Sequence, residues 1–319
     1  MQEPKLSILM STYGETESHI REAVESLLCQ SFSEYELIVI NDNPNRTDIK
    51  SILDSYGDSR IRFYQNSSNI GLAMSMNKAA RMALTDIFAR MDADDIALPQ
   101  RIEKQYKEIQ KGFFDFVFSD FNYIDEKSNL VEGRIEHPYY SPEELNFILT
   151  KDNVIHHPTV MFTRSIFEKV GGYRDFPCSQ DADLWFRMHE AGCRFLMLKD
   201  KLLQYRINSN SISNKRWFQQ QLTCNYIFDL SIERLKRNGN DSFSQENYSI
   251  YLSKWDVGNP QKASKLRRDY RLLSRAAKCK FKGRKIYALF IRLWVFISSR
   301  YMRNHILQVK RKTYLLKRK

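Results

Sequence analysis

The chain has 319 residues, 42% of them apolar, which is enough for one large α/β domain with an appendage and excludes wholesale disorder. The five cysteines, at positions 29, 178, 193, 224 and 279, are odd in number and form no CxxC pair, so neither a disulfide framework nor a zinc knuckle is expected, and a reducing cytosol fits. The formal charge of +12 is unevenly placed: residues 261–319 carry 20 basic side chains and one acid, whereas the preceding 260 residues carry 30 basic against 37 acidic.

The N-terminal run Lys5–Met10 is short, apolar and followed at once by Ser11-Thr12-Tyr13-Gly14, which predicts a strand rather than a secretory leader. Ser18 is placed to cap a helix in which Ile20, Val24, Leu27 and Leu28 recur at the helical period. Glu36–Ile40 is β-branched and ends at the turn sequence Asn41-Asp42-Asn43-Pro44. A polar helix over Asp48–Tyr56, a strand at Ile61–Tyr64 and a helix opened by Asn69-Ile70-Gly71 follow. The fourth strand, Ile87–Met91, runs directly into Asp92-Ala93-Asp94-Asp95, and Pro99 suits the first turn of the next helix. Phe116–Ser119 is a fifth strand.

This alternation implies a parallel, Rossmann-like sheet with helices on both faces, and ligands in such sheets bind at the carboxyl ends of the strands. Ser11–Tyr13, Asp42 and Asp92–Asp95 all fall at those ends, so one rim collects the polar residues. Beyond residue 120 the alternation weakens: a hairpin at 122–132, a strand at Thr159–Phe162, a helix at Asp181–Ala191 ended by Gly192, and edge strands at Phe195–Leu198 and Leu202–Arg206. From about residue 215 the pattern is helical and basic.

Three carboxylates in four residues repel one another, and folding them together is costly without a cation among them. All-oxygen ligation suits Mg²⁺ or Mn²⁺, although a solvated acidic turn before a helix has the same spelling. A lone Asp42 after a strand is either a turn former or an acceptor for a base N–H or ribose hydroxyl. Neither a GxGxxG nor a Walker lysine loop is present to cradle phosphates. Asp181 and Asp183 stand two apart on a helix and point to different sides, so one can face the cleft while the other holds the fold. His156 and His157 fit either ligand contact or packing.

KLSILMSTYGE, ELIVIND, NIGLAMSMN, ARMDADD, HHPTVMFTR, VGGYRD, SQDADLWFRMHEAG and YRINSNSIS, in this order over residues 4–213, resemble family 2 glycosyltransferases of the GT-A fold, in the style of enzymes that build bacterial capsule and other surface polysaccharides. The resemblance implies a catalytic domain over 1–214 and a helical, basic region over 215–319. It assigns Ser11, Thr12 and Tyr13 to the nucleotide pocket, Asp42 to the base, usually uracil, and Asp92, Ala93 and Asp94 to a DxD motif. Asp94, Asp92 and Asp95 become the metal ligands, and Glu15, Asn69, Gly71 and Asn77 join the donor-binding set. Asp181 matches the general base of an inverting, direct displacement, with Trp185 and Arg187 on the helix behind it. Gln180 stands where the family usually has Glu, which weakens the case for a paired carboxylate tuning the base.

The implied cofactors are Mn²⁺ or Mg²⁺ with a nucleotide sugar, a UDP-sugar foremost, and the implied acceptor is a saccharide, free or carried on polyprenyl diphosphate. Arg267, Arg268, Arg271, Arg275, Lys278, Lys280, Lys282, Arg284 and Lys285 precede the aromatic segment Ile286–Ile297, which is too short to span a bilayer and has Arg292 in its middle. This composition describes an interfacial helix on an anionic membrane. It places the chain at the cytoplasmic face of the cell membrane; a helical cap on the catalytic domain is the plainer alternative. Nucleic acid is not expected as a partner, because no recognition motif accompanies the charge. A non-catalytic, nucleotide-sugar-binding or scaffolding homologue remains the alternative function, and homo-oligomerisation is left open.

Overall fold

The computed structural model describes residues 3–133, 137–207, 216–281 and 285–316. The last part of the YRINSNSIS stretch, at 208–213, and Lys282 and Arg284 lie outside them. The chain divides into two compact units, Met1–Ser211 and Ile212–Lys319.

The first unit is built on one eight-stranded sheet: β1 (Leu6–Thr12), β2 (Tyr35–Asn41), β3 (Ile61–Gln65), β4 (Ile87–Asp92), β5 (Ile96–Ala97), β6 (Phe116–Ile124), β7 (Val160–Thr163) and β8 (Phe195–Arg206), in the order β3-β2-β1-β4-β7-β6-β8-β5. Strands β1 to β4 pair in parallel, as do β6 and β8. β7 is inserted antiparallel between β4 and β6, and the short β5 closes the β8 edge antiparallel. Helices α1 (Glu17–Leu28), α2 (Asp48–Asp54), α3 (Leu72–Met82), α4 (Arg101–Gln110), α5 (Pro142–Ile148), α6 (Arg164–Lys169) and α7 (Gln180–Glu190) accompany it.

The two faces of the sheet bury different side chains of the same strands. Ile8, Met10, Leu37 and Val39 pack with Ile20, Val24 and Leu27 of α1, while Leu9, Ile38 and Ile40 pack with Met76, Ala79 and Ala80 of α3. Successive strand residues point to opposite faces, so burial on both sides turns the strands into the nearly continuous apolar runs seen in the sequence.

Several local expectations are corrected. Thr16, not Ser18, caps α1, with its side chain accepting from His19 N at 3.2 Å. Pro99 sits before α4, whose N-cap is Gln100. The hairpin expected at 122–132 is present but short: Asp125 N donates to Asn129 O and Val131 N to Tyr123 O, both at 2.9 Å, about an Ile124–Leu130 bridge and a turn with Ser128 at φ 66°. The two expected edge strands are one strand, β8, whose pairing with β6 shifts register around Asp120. The unforeseen α5 starts at a capping box in which Ser141 and Glu144 satisfy each other's backbone N–H groups.

The second unit is helical: α8 (Trp217–Lys236), α9 (Gln245–Ser253), α10 (Pro260–Phe281), α11 (Lys285–Ser298) and α12 (Arg300–Leu316). Its core contains Phe218, Leu222, Leu266, Val295, Tyr301 and Met302. Among the described residues, no helix is long and apolar enough to cross a membrane.

Candidate active site

The sheet register places the rim. Ser11 lies opposite both Ile40 on β2 and Asp92 on β4, and Thr12 lies opposite Asn41, so three strands end level with one another. The loop after β1 is tied down here: Glu15 Oε2 accepts from Tyr13 N at 2.7 Å and Gly14 N at 3.1 Å, and Asn43 Nδ2 donates to Tyr13 O at 2.9 Å. Tyr13 itself is 52% exposed.

Asp92, Asp94 and Asp95 each bring a carboxylate oxygen within 4.8 Å of the other two. Ala93, between them, is buried. Arg206, at the end of β8, pins the turn: its backbone N–H donates to Asp95 Oδ1 at 2.8 Å and its Nε to Asp94 O at 2.6 Å. Asp95 is 1% exposed, and among the described residues its Oδ2 has no hydrogen-bond partner. Burial, with Asp92 and Glu15 nearby, pushes the Asp94 carboxyl up to about 7. Burial and the neighbouring Asp92 and Asp94 carry Asp95 well above the usual carboxylate range. Glu15 is raised as well, mainly by burial, with a contribution from Asp92. Carboxylates held this close, one oxygen buried and unpaired, are a hard all-oxygen donor set that a divalent cation satisfies. The residues present therefore fit Mg²⁺ or Mn²⁺.

Two residues missed in the sequence add to the electrostatics. Arg90 is 2% exposed, forms an ion pair with Asp92, and among the described residues has no hydrogen-bond partner for Nε or Nη1. Its charge also reaches Asp181, Tyr173 and Asp95. Tyr205, on β8, lies close enough to the acidic cluster that, after burial, Asp92 is the largest influence raising its phenol. Strand periodicity is the signal that finds Arg90, since residues two apart on β4 share a face.

Asp181 is half-buried near the start of α7, where Asn153 Nδ2 donates to its Oδ2 at 3.3 Å. Burial raises its carboxyl, opposed by backbone N–H groups and by Arg90. Ser179, directly before Gln180-Asp181, holds a left-handed φ of 59°, a strained start for this helix. Asp183 takes the other role. It is fully buried, and Arg187 one turn later donates to its Oδ2 from Nε at 2.8 Å and Nη2 at 2.7 Å. Arg187 Nη2 also donates to Gly172 O at 2.8 Å, so α7 is tied to the loop that precedes it.

The remaining donor-set residues divide by what they hold. Asp42 is buried and accepts from Asn66 Nδ2 at 2.8 Å, Ile70 N at 2.9 Å and Gly71 N at 2.9 Å, so its carboxylate organises the loop before α3. Asn69 Oδ1 also accepts from Gly71 N, at 2.9 Å, and Gly71 takes φ 83° to open the helix. Asn77 pairs with the backbone of Tyr173 in both directions, donating to its carbonyl at 2.8 Å and accepting its N–H at 2.9 Å. His157 is 9% exposed, shares a hydrogen bond of 2.7 Å with the Tyr173 hydroxyl, and has a pKa driven well down by burial and by Arg90. His156 packs its ring 4.4 Å from Phe121, and burial with His137 nearby lowers it to about 4, so it is neutral at physiological pH.

A GT-A-type sheet with an acidic turn at the end of β4 is the architecture of nucleotide-diphospho-sugar transferases. The chain belongs to glycosyl transferase family 2, whose family model matches residues 7–171. It is 33% identical over 229 residues to an uncharacterized glycosyltransferase of Methanocaldococcus jannaschii, covering 71% of this chain and 79% of that one. It is 32% identical over 211 residues to the O-antigen biosynthesis glycosyltransferase WbnJ of Escherichia coli, covering 65% and 81%. The fold is similar to that of S. aureus TarS 1-349 in complex with UDP-GlcNAc, with a TM-score of 0.58 and 17% identity over 78% of this chain and 71% of that one.

Proposed function

We propose that the chain transfers a glycosyl group, with inversion, from a UDP-sugar to a hydroxyl of a saccharide acceptor, free or lipid-linked, in the assembly of a surface polysaccharide. The convergence of Asp92, Asp94 and Asp95 at the rim, with the Arg90 charge felt at both Asp92 and Asp181, carries this reading. The UDP-GlcNAc of the TarS complex and the O-antigen role in the name of WbnJ support the donor and the pathway class.

Asp94, with Asp92 and Asp95, would hold Mn²⁺ or Mg²⁺, which when bound supplies positive charge for the departing diphosphate. Asp181 accepts the proton of the acceptor hydroxyl as its oxygen bonds to the anomeric carbon. The bond from that carbon to the diphosphate oxygen breaks, and its electron pair leaves with the nucleotide diphosphate. The partial burial that raises Asp181 makes its carboxylate a stronger base than one in water. Ser11, Thr12 and Tyr13 line the nucleotide side. Asp42 orders the loop at Asn69 and Gly71 and offers its remaining lone pair to the base, and Asn77 fixes the Tyr173 loop.

A donor screen tests the reading: UDP-, GDP- and dTDP-sugars are added with Mn²⁺ and the melting temperature is followed, since only a well-bound donor raises it clearly. UDP-sugar stabilisation and hydrolysis that vanish in Asp94→Asn are expected. Full turnover in that variant overturns the metal assignment, and donor binding without turnover under any acceptor indicates a non-catalytic homologue.

A further inference from the structure

Helix α11 is apolar on two opposite sides, and among the described residues of the second unit only one of them is covered. Val295 is fully buried and Ile291 half-buried in the core of the second unit. On the other side Ile286, Leu289, Phe290, Leu293, Trp294 and Ile297 are between 51% and 74% exposed. At 3.6 residues per turn these six fall within an arc of about 140°, running the whole length of the helix, about 20 Å. Tyr287, 59% exposed, sits at the margin of the arc, and Arg292 lies to one side of it. An uncovered stripe of this size marks a surface that meets another apolar phase.

The charges around the stripe select that phase. Helices α10 and α12 both pack against α11. α10 carries eight Lys and Arg against one acid, Asp269, and α12 carries five with no acid. A second copy of the chain would bring a like-charged rim against this one, which electrostatic complementarity disfavours. A nucleic acid would answer the charge but not the row of aliphatic and aromatic side chains. An anionic bilayer answers both: the apolar side chains enter the boundary between headgroups and acyl chains, Trp294 and Tyr287 suit that interface, and the flanking cations meet the headgroups.

We infer that the exposed face of α11 is the surface by which this protein docks on an anionic membrane, with α11 lying in the plane of the interface. This rests on the proposed function only in that it puts the enzyme where a lipid-carried acceptor would be. Docking is read with neither donor nor acceptor present, so it can fail while transfer stands, and the reverse.

The full chain is mixed with phosphatidylcholine vesicles and with vesicles containing about 30% phosphatidylglycerol, and sedimentation and tryptophan emission are recorded. Binding to the anionic vesicles alone, weakened by salt and accompanied by a blue shift, is expected. The double substitution Leu293→Ser/Trp294→Ser should lower partitioning by more than about tenfold with an unchanged thermal melt, because two interfacial side chains are lost. Quenching of the wild-type emission by brominated acyl chains gives a second reading that needs no variant. Wild-type protein that stays in the supernatant, equal binding to neutral vesicles, or a double variant that loses only a dimer in light scattering would overturn the inference.

Discussion

Arg90 and Asp92 stand two residues apart on β4, and their side chains close an ion pair on one face of the strand while the guanidinium is almost fully buried. Among the described residues this is the ion pair that Asp92 makes, while the buried Arg101 reaches Asp92 and Asp95 only through space. Removing Arg90 leaves Asp92 facing Asp94 and Asp95 without its ion-pair partner. Arg90→Met should therefore destabilise the metal-free protein by about 3–5 kcal/mol, the usual effect of breaking a buried pair. The same change makes the site more negative, so Mn²⁺ should raise the melting temperature of the variant more than that of the wild type. Differential scanning fluorimetry with and without Mn²⁺ checks both signs, and a smaller Mn²⁺ shift in the variant would contradict this account.

Metal-free stability should depend on pH through Asp94. Its carboxyl is pushed up to about 7 in the fold, chiefly by burial, against about 3.9 in an unfolded chain. The folded state thus retains the proton that the unfolded state has already lost. The resulting stability is fully present below pH ~4 and disappears as pH rises through ~7. Other carboxylates, such as Glu22 and Asp48, are lowered and act in the opposite direction. The useful measurement is therefore the difference between wild type and Asp94→Asn in EDTA from pH 5 to 8. Wild type should lose stability relative to the variant by on the order of 1 kcal/mol over that range. Mn²⁺ needs the deprotonated carboxylate, so its affinity should fall roughly tenfold per unit below pH 7.

Asp181 and Asp183 should separate chemistry from folding. Asp181→Asn keeps shape and the Asn153 contact within reach, so it should melt close to the wild type and bind donor, yet lose transfer by at least about a hundredfold if the carboxylate takes the acceptor proton. Asp183→Asn removes the charge that Arg187 pairs with in a fully buried setting, and should cost about 3–5 kcal/mol of stability. Single-turnover assays beside urea unfolding distinguish the two. An Asp183→Asn protein as stable as the wild type would show that the Arg187 contact is not structural.

What the sequence made legible followed from short-range rules. Strict burial on both faces spells strands such as Glu36–Ile40 and Ile87–Met91, and the acidic turn after the latter announces itself by charge alone. The pairing of Asp183 with Arg187 is not part of the sequence reading, although the two stand one helical turn apart. Long-range pairing was not legible. Nothing near Val160 tells that β7 runs antiparallel between β4 and β6, because the same apolar run suits either direction. The sequence leaves Asp42 as either a turn former or a ligand acceptor, and only the folded chain brings Asn66, Ile70 and Gly71 onto its carboxylate. Arg90 lies inside an apolar strand, and the sequence gives its partner Asp92 a place in the metal and donor set with no cation of the chain beside it.

Gly172 offers the sharpest test of how the Tyr173 loop is fixed. It holds φ +67°, and a Cβ there would lie 2.7 Å from Asn77 Oδ1 and 3.0 Å from the Phe167 ring. Asn77 cannot retreat without losing both hydrogen bonds to the Tyr173 backbone, and Phe167 is buried in the core. Gly172→Ala should therefore destabilise by about 2–4 kcal/mol, combining left-handed backbone strain with overpacking. Asn77→Ala alone should cost about 1–3 kcal/mol, because it leaves two backbone groups without partners. In the double variant the clash with Asn77 is gone, so the two effects should not add: the combined loss should fall short of the sum by about 1 kcal/mol. Urea unfolding of the four proteins measures that coupling, and strict additivity would mean that Gly172 and Asn77 do not meet as the structure places them.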